Sequence, residues 1–427
     1  MTASTSPTEL STLDVLDPTL FVRGVAHDTF DALRAYDPVH WDERNGIWVL
    51  TGYDDVAHAE RHPEVFSSAN GVRPRGEAAN ANLSIVSMDD PEHARQRRLI
   101  ARGFTPKRIA ELVERIRGLA RELVDRVAAR GECDFVTDLA APLPLIVIAE
   151  LLGLPVDDRE RLREWSDTMI GSEGSTGPDD PRLARAAAAW SEYVTYLDGL
   201  LEERRAQPRD DLISVLVSSA ESGELASDFD ALHDSVRDGD VGRSALALRA
   251  DEVLSFLVLL LVAGNETTRN ALSGGMVALS EFPEQRARLA ADLALVPSAT
   301  EEILRYVSPV LNFSRTVALD TELRGRTLRS GDAVLLCYPA ANRDPQVFDA
   351  PHDLRIDRSP NLHLAFGAGP HFCLGANLAR TEIRILLEEL FARLPDAHVP
   401  AGAHAARGPS TLVATIESLP VAFTPAP

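Results

Sequence analysis

Lysine is nearly missing from this chain: Lys107 stands alone, and the other strong bases are all arginine. Lys and Arg together number 43 against 65 Asp and Glu, so the formal net charge is −22. A surface of that sign repels phosphate, which excludes general nucleic-acid binding and attachment to anionic membranes except through a local basic patch. Cysteine is scarce too. Cys133, Cys337 and Cys373 are too few and too widely spaced for a disulfide framework or a zinc cage, and an odd number of thiols suits a reducing cytosol. Long apolar runs are also lacking. The longest, Val253 to Ala263, is broken by Ser255 and falls well short of the roughly 20 residues that cross a bilayer. The N-terminus, MTASTSPTEL, has no apolar stretch of a signal peptide. These absences point to a protein of the cytoplasm with no nucleic acid or membrane partner.

What is present is an ordinary globular composition, 45% hydrophobic and 25% charged over 427 residues. Such a chain buries most of its apolar surface without staples. Length alone suggests about three domains. With no internal repeat and no Gly/Ser linker, however, the expectation is a single large domain over 1–427, with 1–20 a flexible segment. Apolar residues recur every three or four positions over Lys107–Ala129, Asp157–Ile170, Pro181–Gln207, Ala250–Leu279 and Ala376–Leu394, which predicts helices. Strand-like runs are short: Gly46–Thr51, Ala333–Tyr338 and Thr411–Glu417. The fold class predicted is mainly α with small β-sheets. Ser222–Asp240, acidic and weakly periodic, reads as an exposed loop.

The densest feature is Phe366-Gly367-Ala368-Gly369-Pro370-His371-Phe372-Cys373-Leu374-Gly375, just ahead of the helix predicted from Ala376. Gly367, Gly369 and Gly375 permit backbone angles closed to other residues and let the chain approach a flat ligand. A cysteine before a helix N-terminus meets the positive end of the dipole and free N–H groups, which favour thiolate. Such a thiolate can be the axial ligand of a haem iron. Rival readings fail on spacing. The third glycine of a dinucleotide fingerprint is Phe372 here, and a His-x-Cys pair cannot complete a four-ligand zinc site. Cys133 and Cys337 read as small buried hydrophobes.

A second motif, Ala263-Gly264-Asn265-Glu266-Thr267-Thr268, lies inside the Ala250–Leu279 helical pattern. An interior helical glycine costs roughly 1 kcal/mol relative to alanine. Beside an acid and a threonine it predicts a local opening of the helix, with room for a small ligand that the hydroxyl can bond. The alternative is a helix turning polar as it leaves the core, with Glu266 and Arg269 an i,i+3 surface pair. Glu302 and Arg305 likewise share a helix face; taken alone they read as a solvated ion pair, contributing under about 1 kcal/mol.

The loop FGAGPHFCLG resembles the haem-binding loop of the cytochrome P-450 family at every defining position, and the other motifs follow in that family's order from roughly Pro38 onward. The resemblance implies a haem-thiolate monooxygenase that inserts one atom of O2 into a hydrophobic small molecule. It implies haem b with Cys373 as proximal ligand, and Phe366, Gly367 and Gly375 in the haem loop. His93, Arg97, Arg315 and His371 match the positions that clamp the propionates, and Arg suits carboxylates because of its bidentate fork. Glu266 and Thr267 match the residues that deliver the two protons oxygen cleavage consumes. Glu302, Arg305 and Arg358 match a structural network, costly to break once buried.

Monooxygenation needs two electrons, and the sequence carries neither a flavin domain nor an iron–sulfur cysteine cluster. The resemblance therefore implies a ferredoxin and a ferredoxin reductase passing electrons from NAD(P)H to a monomeric enzyme. His93–Ala110 holds six Lys/Arg and no acid, which places ferredoxin docking near Arg98, Arg102 and Lys107. Pocket segments by resemblance are Asn80–Val86, Leu257–Ala263 and Val310–Phe313, with Leu83, Ile85, Val86, Leu260, Ala263, Leu311, Asn312 and Phe313 as candidate walls. Their apolar character predicts a hydrophobic substrate. Gly131–Phe135, Leu139–Ile148 and Ala263–Gly275 resemble members that oxidise steroid side chains and branched lipids at a terminal carbon. Two alternatives stay open: a macrolide- or terpenoid-tailoring oxidase, and a haem-thiolate protein that binds or rearranges its ligand without oxygenation. Glu266 and Thr267 weigh against the last, since a pure binder needs no proton relay.

Overall fold

The structure is a computed structural model that describes residues 13–22, 27–74, 84–171, 179–222 and 250–426. Leu83, residues 1–12 of the N-terminal segment and residues 223–240 of the acidic stretch lie outside the described residues.

Helices dominate. They are α1 (His27–Tyr36), α2 (Tyr53–Arg61), α3 (Glu92–Ala101), α4 (Pro106–Ala128), α5 (Pro142–Leu151), α6 (Arg159–Gly171), α7 (Pro181–Ala206), α8 (Leu212–Ser222), α9 (Ala250–Glu281), α10 (Pro283–Ala291), α11 (Val296–Val307) and α12 (Ala376–Arg393). Local chemistry sets several boundaries. Thr105 caps α4 by accepting the Arg108 N–H, and Pro106 occupies its first turn. Asp180 does the same for α7 through the Arg182 N–H at 2.9 Å. The predicted helices appear within a few residues of their expected ends. α5 was not among them because PLPLIVIAEL is apolar on all sides and so carries no period; it is buried accordingly. At 32 residues, α9 is roughly 48 Å long and packs against α5, α6, α7, α11 and α12. No helix among the described residues is long and apolar enough to cross a membrane.

A five-stranded sheet lies to one side. Its strands are β1 (Val39–Asp42), β2 (Ile47–Leu50), β3 (Phe66–Ser67), β4 (Asn312–Val317) and β5 (Ala333–Cys337), in the order β1-β2-β5-β4-β3. β2 and β5 run parallel, and the other neighbours are antiparallel. β4 escaped the sequence reading because buried Asn312, Ser314 and Arg315 break the apolar alternation. Thr411–Glu417 is a correction: only Ile416–Ser418 is a strand. Upstream, the Ser410 hydroxyl accepts both the Leu412 and Val413 N–H groups at 3.1 Å and turns the chain.

α11 is anchored by a buried carboxylate. Glu302 accepts two hydrogen bonds of 2.8 Å from Arg305 and two of 3.0 and 3.1 Å from Arg358 Nε. The Arg355 N–H and Asn361 Nδ2 complete its shell. The terminal guanidinium nitrogens also donate to the carbonyls of Asn342, Asp349, Ala350, Pro351 and Asp353. All three side chains are buried, so the pair that taken alone reads as solvated is instead fully desolvated and fully satisfied. Glu302→Gln leaves two guanidiniums without a counter-charge and is expected to cost about 3–5 kcal/mol; denaturant unfolding of the two proteins measures the difference.

Candidate active site

The Cys373 N–H donates to the Phe366 carbonyl at 2.9 Å, closing the loop ahead of α12. Gly367 and Gly369 have φ of +68° and +65°, and a Cβ on Gly369 would stand 2.4 Å from the Glu60 carbonyl oxygen. Gly375 differs from expectation: its φ of −82° is open to any residue. A Cβ there would meet nothing within 4 Å, so its smallness keeps space clear rather than permitting an angle. Burial pushes the Cys373 thiol above its ordinary range, while the Gly375 N–H, Arg97 and Arg380 pull it back. Burial thus opposes the thiolate form that the helix N-terminus and the two guanidiniums favour.

Around this loop the structure gathers the residues predicted to clamp the propionates. The His93 and His371 rings lie 4.0 Å apart. Burial pushes both below the ordinary histidine range, His371 to about 3, and each keeps a buried Nε2 without a partner. Arg97 donates to the Phe372 carbonyl. Arg315, buried in β4, donates to the Ser314 carbonyl at 2.9 Å and to Glu60 Oε1 at 3.3 Å. Glu60 is a residue that sequence reasoning missed. It also accepts from the Tyr338 hydroxyl and lies beside Gly367 and Gly369. Nothing in its own helix, α2, signals contact with residues some 250 positions away in the chain.

A cavity of about 1330 Å³ opens against α9. Ala263, Glu266 and Thr267 line it; Cys373, His93, Arg97, Arg315 and His371 do not. α9 runs unbroken through Gly264, so the expected opening is absent. The Thr267 hydroxyl donates to the Ala263 carbonyl at 2.8 Å within the intact helix. Gly264 serves close packing instead, since a Cβ there would lie 2.8 Å from Ile148 Cδ1 of α5. The Glu266–Arg269 pair exists but is buried rather than on the surface. Arg269 Nη2 and Asn270 Nδ2 each donate to Glu266 Oε1 at 2.7 Å. Oε2 lies 2.6 Å from the same guanidinium but has no directed hydrogen bond. Burial pushes this carboxyl above its ordinary range, against the pull of Arg269 and Asn270.

Among the candidate walls, Val86, Ala263 and Phe313 line the cavity. Ile85, Leu260 and Leu311 turn into the apolar core, and Asn312 donates to the Thr411 carbonyl. Helical phase explains Leu260: the cavity face of α9 runs Ser255, Val258, Leu259, Val262, Ala263 and Glu266, and Leu260 points away from it. Walls the sequence did not reveal come from Thr137, Ala141 and Leu145, from Leu183 and Trp190 of α7, and from the turn at Pro409–Val413.

This geometry has known counterparts. The family described as Cytochrome P450 matches residues 178–395. The chain is 40% identical over 413 residues to the steroid C26-monooxygenase of Mycolicibacterium smegmatis, covering 97% of this chain and 96% of that protein. It is 40% identical over 389 residues to the methyl-branched lipid omega-hydroxylase of Mycobacterium bovis, covering 89% and 85%. Among solved structures, a cytochrome P450 of Chondromyces apiculatus superposes with a TM-score of 0.83 at 34% identity, covering 98% of this chain and 99% of that one. A Bacillus megaterium P450 in complex with testosterone gives 0.80 at 32%, covering 94% and 98%. The chain belongs to the cytochrome P450 family. It is a monooxygenase that uses haem b and O2, with electrons from redox partners and a hydrophobic substrate. The residues present fit haem: two orphaned imidazole nitrogens flanked by guanidiniums, a cysteine ahead of a helix, and clear space at Gly375.

Downstream of the loop, Glu382 of α12 is a buried carboxylic acid with Oε2 unpartnered. Burial pushes its pKa up to about 8. The folded state therefore holds a proton that the unfolded chain releases near 4.5. The stability this contributes is complete below that value and is lost as pH rises through 8, at up to about 1.4 kcal/mol per pH unit. Glu382→Gln is expected to remove that slope and to exceed the parent protein in stability at pH 8, measured by urea unfolding across this range.

Proposed function

We propose that this monooxygenase hydroxylates a steroid or methyl-branched lipid at a terminal carbon, acting as a cytoplasmic monomer with Cys373 as the iron ligand. The observation that carries the reading is the cavity. Val258, Leu259, Val262, Leu145 and Phe313 offer apolar walls, while Glu266 and Thr267 present the only acid–hydroxyl neighbours in sequence among its lining residues. The relatives named steroid C26-monooxygenase and methyl-branched lipid omega-hydroxylase support the substrate class. His93, Arg97, Arg315 and His371 would hold the haem propionates, with Phe366, Gly367 and Gly375 shaping the loop beneath. When bound, the haem supplies the oxygen-activating chemistry. The chain's own part is to exclude water with the apolar walls and to move protons. Glu266 can take or release a proton at Oε2, which carries no directed hydrogen bond, and Arg269 links it to Asp167 of α6 at 3.5 Å. Thr267 is the adjacent hydroxyl on the cavity wall.

The test is a spin-state titration with three ligands: a steroid bearing a branched alkyl side chain, a methyl-branched fatty acid and a macrolide. The expected result is tight binding of one of the first two and product oxidised at the chain terminus by mass spectrometry. Macrolide binding alone, or binding without product, overturns the reading. Glu266→Gln is expected to lower product formation about a hundredfold with the titration unchanged, and Cys373→Ala to abolish the thiolate-type ferrous–CO band.

Electron delivery is assigned to the face around α3 and the start of α4. Arg95 pairs with Glu252, Arg97 donates to the Phe372 carbonyl and Arg108 pairs with Asp210. Arg98, Arg102 and Lys107 are exposed, and so is Phe372 beside the cysteine. An acidic ferredoxin suits this face. Reversing the charge at Arg98, Arg102 and Lys107 is expected to raise the KM for ferredoxin about tenfold and flatten its salt dependence, with substrate binding unaltered; unchanged kinetics remove the assignment.

A further inference from the structure

Arg380, on α12, holds its guanidinium 4.4 Å from the centroid of the Phe366 ring. It is forked onto Glu301 of α11, Nε to Oε1 at 2.7 Å and Nη2 to Oε2 at 2.9 Å. The same carboxylate lies 3.2 Å from His363 Nε2, and His363 Nδ1 accepts the Ala365 N–H. The ring is therefore the Nε2–H tautomer and donates to Glu301. His363 stands 6.0 Å from Phe366 on ring centroids. Phe366 is thus bracketed by an imidazole and a guanidinium, and its carbonyl receives the Cys373 N–H.

Three consequences follow from this geometry. A bidentate Arg–carboxylate fork fixes both charges in direction, so neither reorients when charge changes nearby. The cation is the member stacked on the Phe366 ring, at the root of the cysteine loop. Against the upward pull of burial, His363 and Arg380 hold the Glu301 carboxyl down at about 2, so the pair is ionised throughout the working range.

We propose that Arg380 and Glu301 set the reduction potential of the haem held by Cys373, the fixed guanidinium favouring the electron-rich state and the carboxylate opposing it. Adding one electron to the iron adds one negative charge beside the loop, which a nearby cation stabilises and an anion destabilises. Partial exposure of both groups, 30% each, means that screening reduces the effect without reversing its sign. The inference rests on the assignment of Cys373 as iron ligand, and Arg380 acts as a positioning charge rather than by touching substrate.

The experiment is an equilibrium redox titration of the haem-loaded enzyme as parent, Arg380→Gln, Arg380→Lys and Glu301→Gln, each first checked for the thiolate-type ferrous–CO band. Arg380→Gln is expected to lower the reduction equilibrium constant about tenfold, a shift of about 59 mV to more negative potential for one electron. Arg380→Lys keeps the charge and is expected to stay near the parent. Glu301→Gln is expected to shift the potential in the positive direction. Opposite signs for the two neutralising variants are the mark of electrostatics, since loosening the loop moves both the same way. Shifts of one sign, or none, with the thiolate band intact overturn the proposal. If Arg380→Gln fails to hold haem, the sign of the Glu301→Gln shift decides alone. A parent enzyme without the thiolate band overturns the Cys373 assignment instead.

Discussion

A single buried carboxylate, Glu302, governs how the rest of the molecule is held. Desolvating one anion and two guanidiniums is affordable only when every lone pair and N–H finds a partner, and here they do. The partners are not local. Arg305 reaches the carbonyls of Asn342, Pro351 and Asp353, and Arg358 those of Asp349 and Ala350. A long irregular stretch, with few ladder hydrogen bonds of its own, is thereby given a fixed course. From Asn342 the constraint passes onward: its side chain accepts the Leu364 N–H at 2.7 Å, two residues before the cysteine loop begins.

Polar groups throughout the centre of this protein take unusual protonation states for the same reason. Burial pushes Glu266, Glu382 and Cys373 up and His93 and His371 down. Each of these shifts favours the neutral form, which is the cheaper one away from water. The exception is Glu301, which is forked by Arg380. Glu301 stays far below its ordinary value because Arg380 and His363 outweigh its burial. The acid on the cavity side of α9 is thus raised by burial, while Glu301, which faces Arg380 of α12, is held down by its ion pair.

The cysteine loop was legible because its glycines, histidine and cysteine are contiguous and each is chemically specific. Glu302, Arg305 and Arg358 were legible by resemblance, although nothing in a Glu-x-x-Arg spacing tells a buried network from a solvated pair. Gly264 shows the reverse error. A glycine beside an acid and a threonine read as a break in the helix, whereas its cause is Ile148 pressing from α5. The pocket walls were the least legible. One residue of helical phase separates Leu259, on the cavity, from Leu260, in the core, and the turn at Pro409–Val413 has no period at all.

Sequence alone determined the class of chemistry, because that chemistry depends on a few side chains held close together along the chain. It also determined most helices, since an amphipathic period is a local property. Only tertiary structure decided which charges are buried, what Glu60 touches, which face of α9 meets the cavity, and that Arg380 stands over Phe366. Those facts depend on contacts between segments up to hundreds of residues apart. The free energy of a buried charge is set by everything around it, not by its neighbours in sequence.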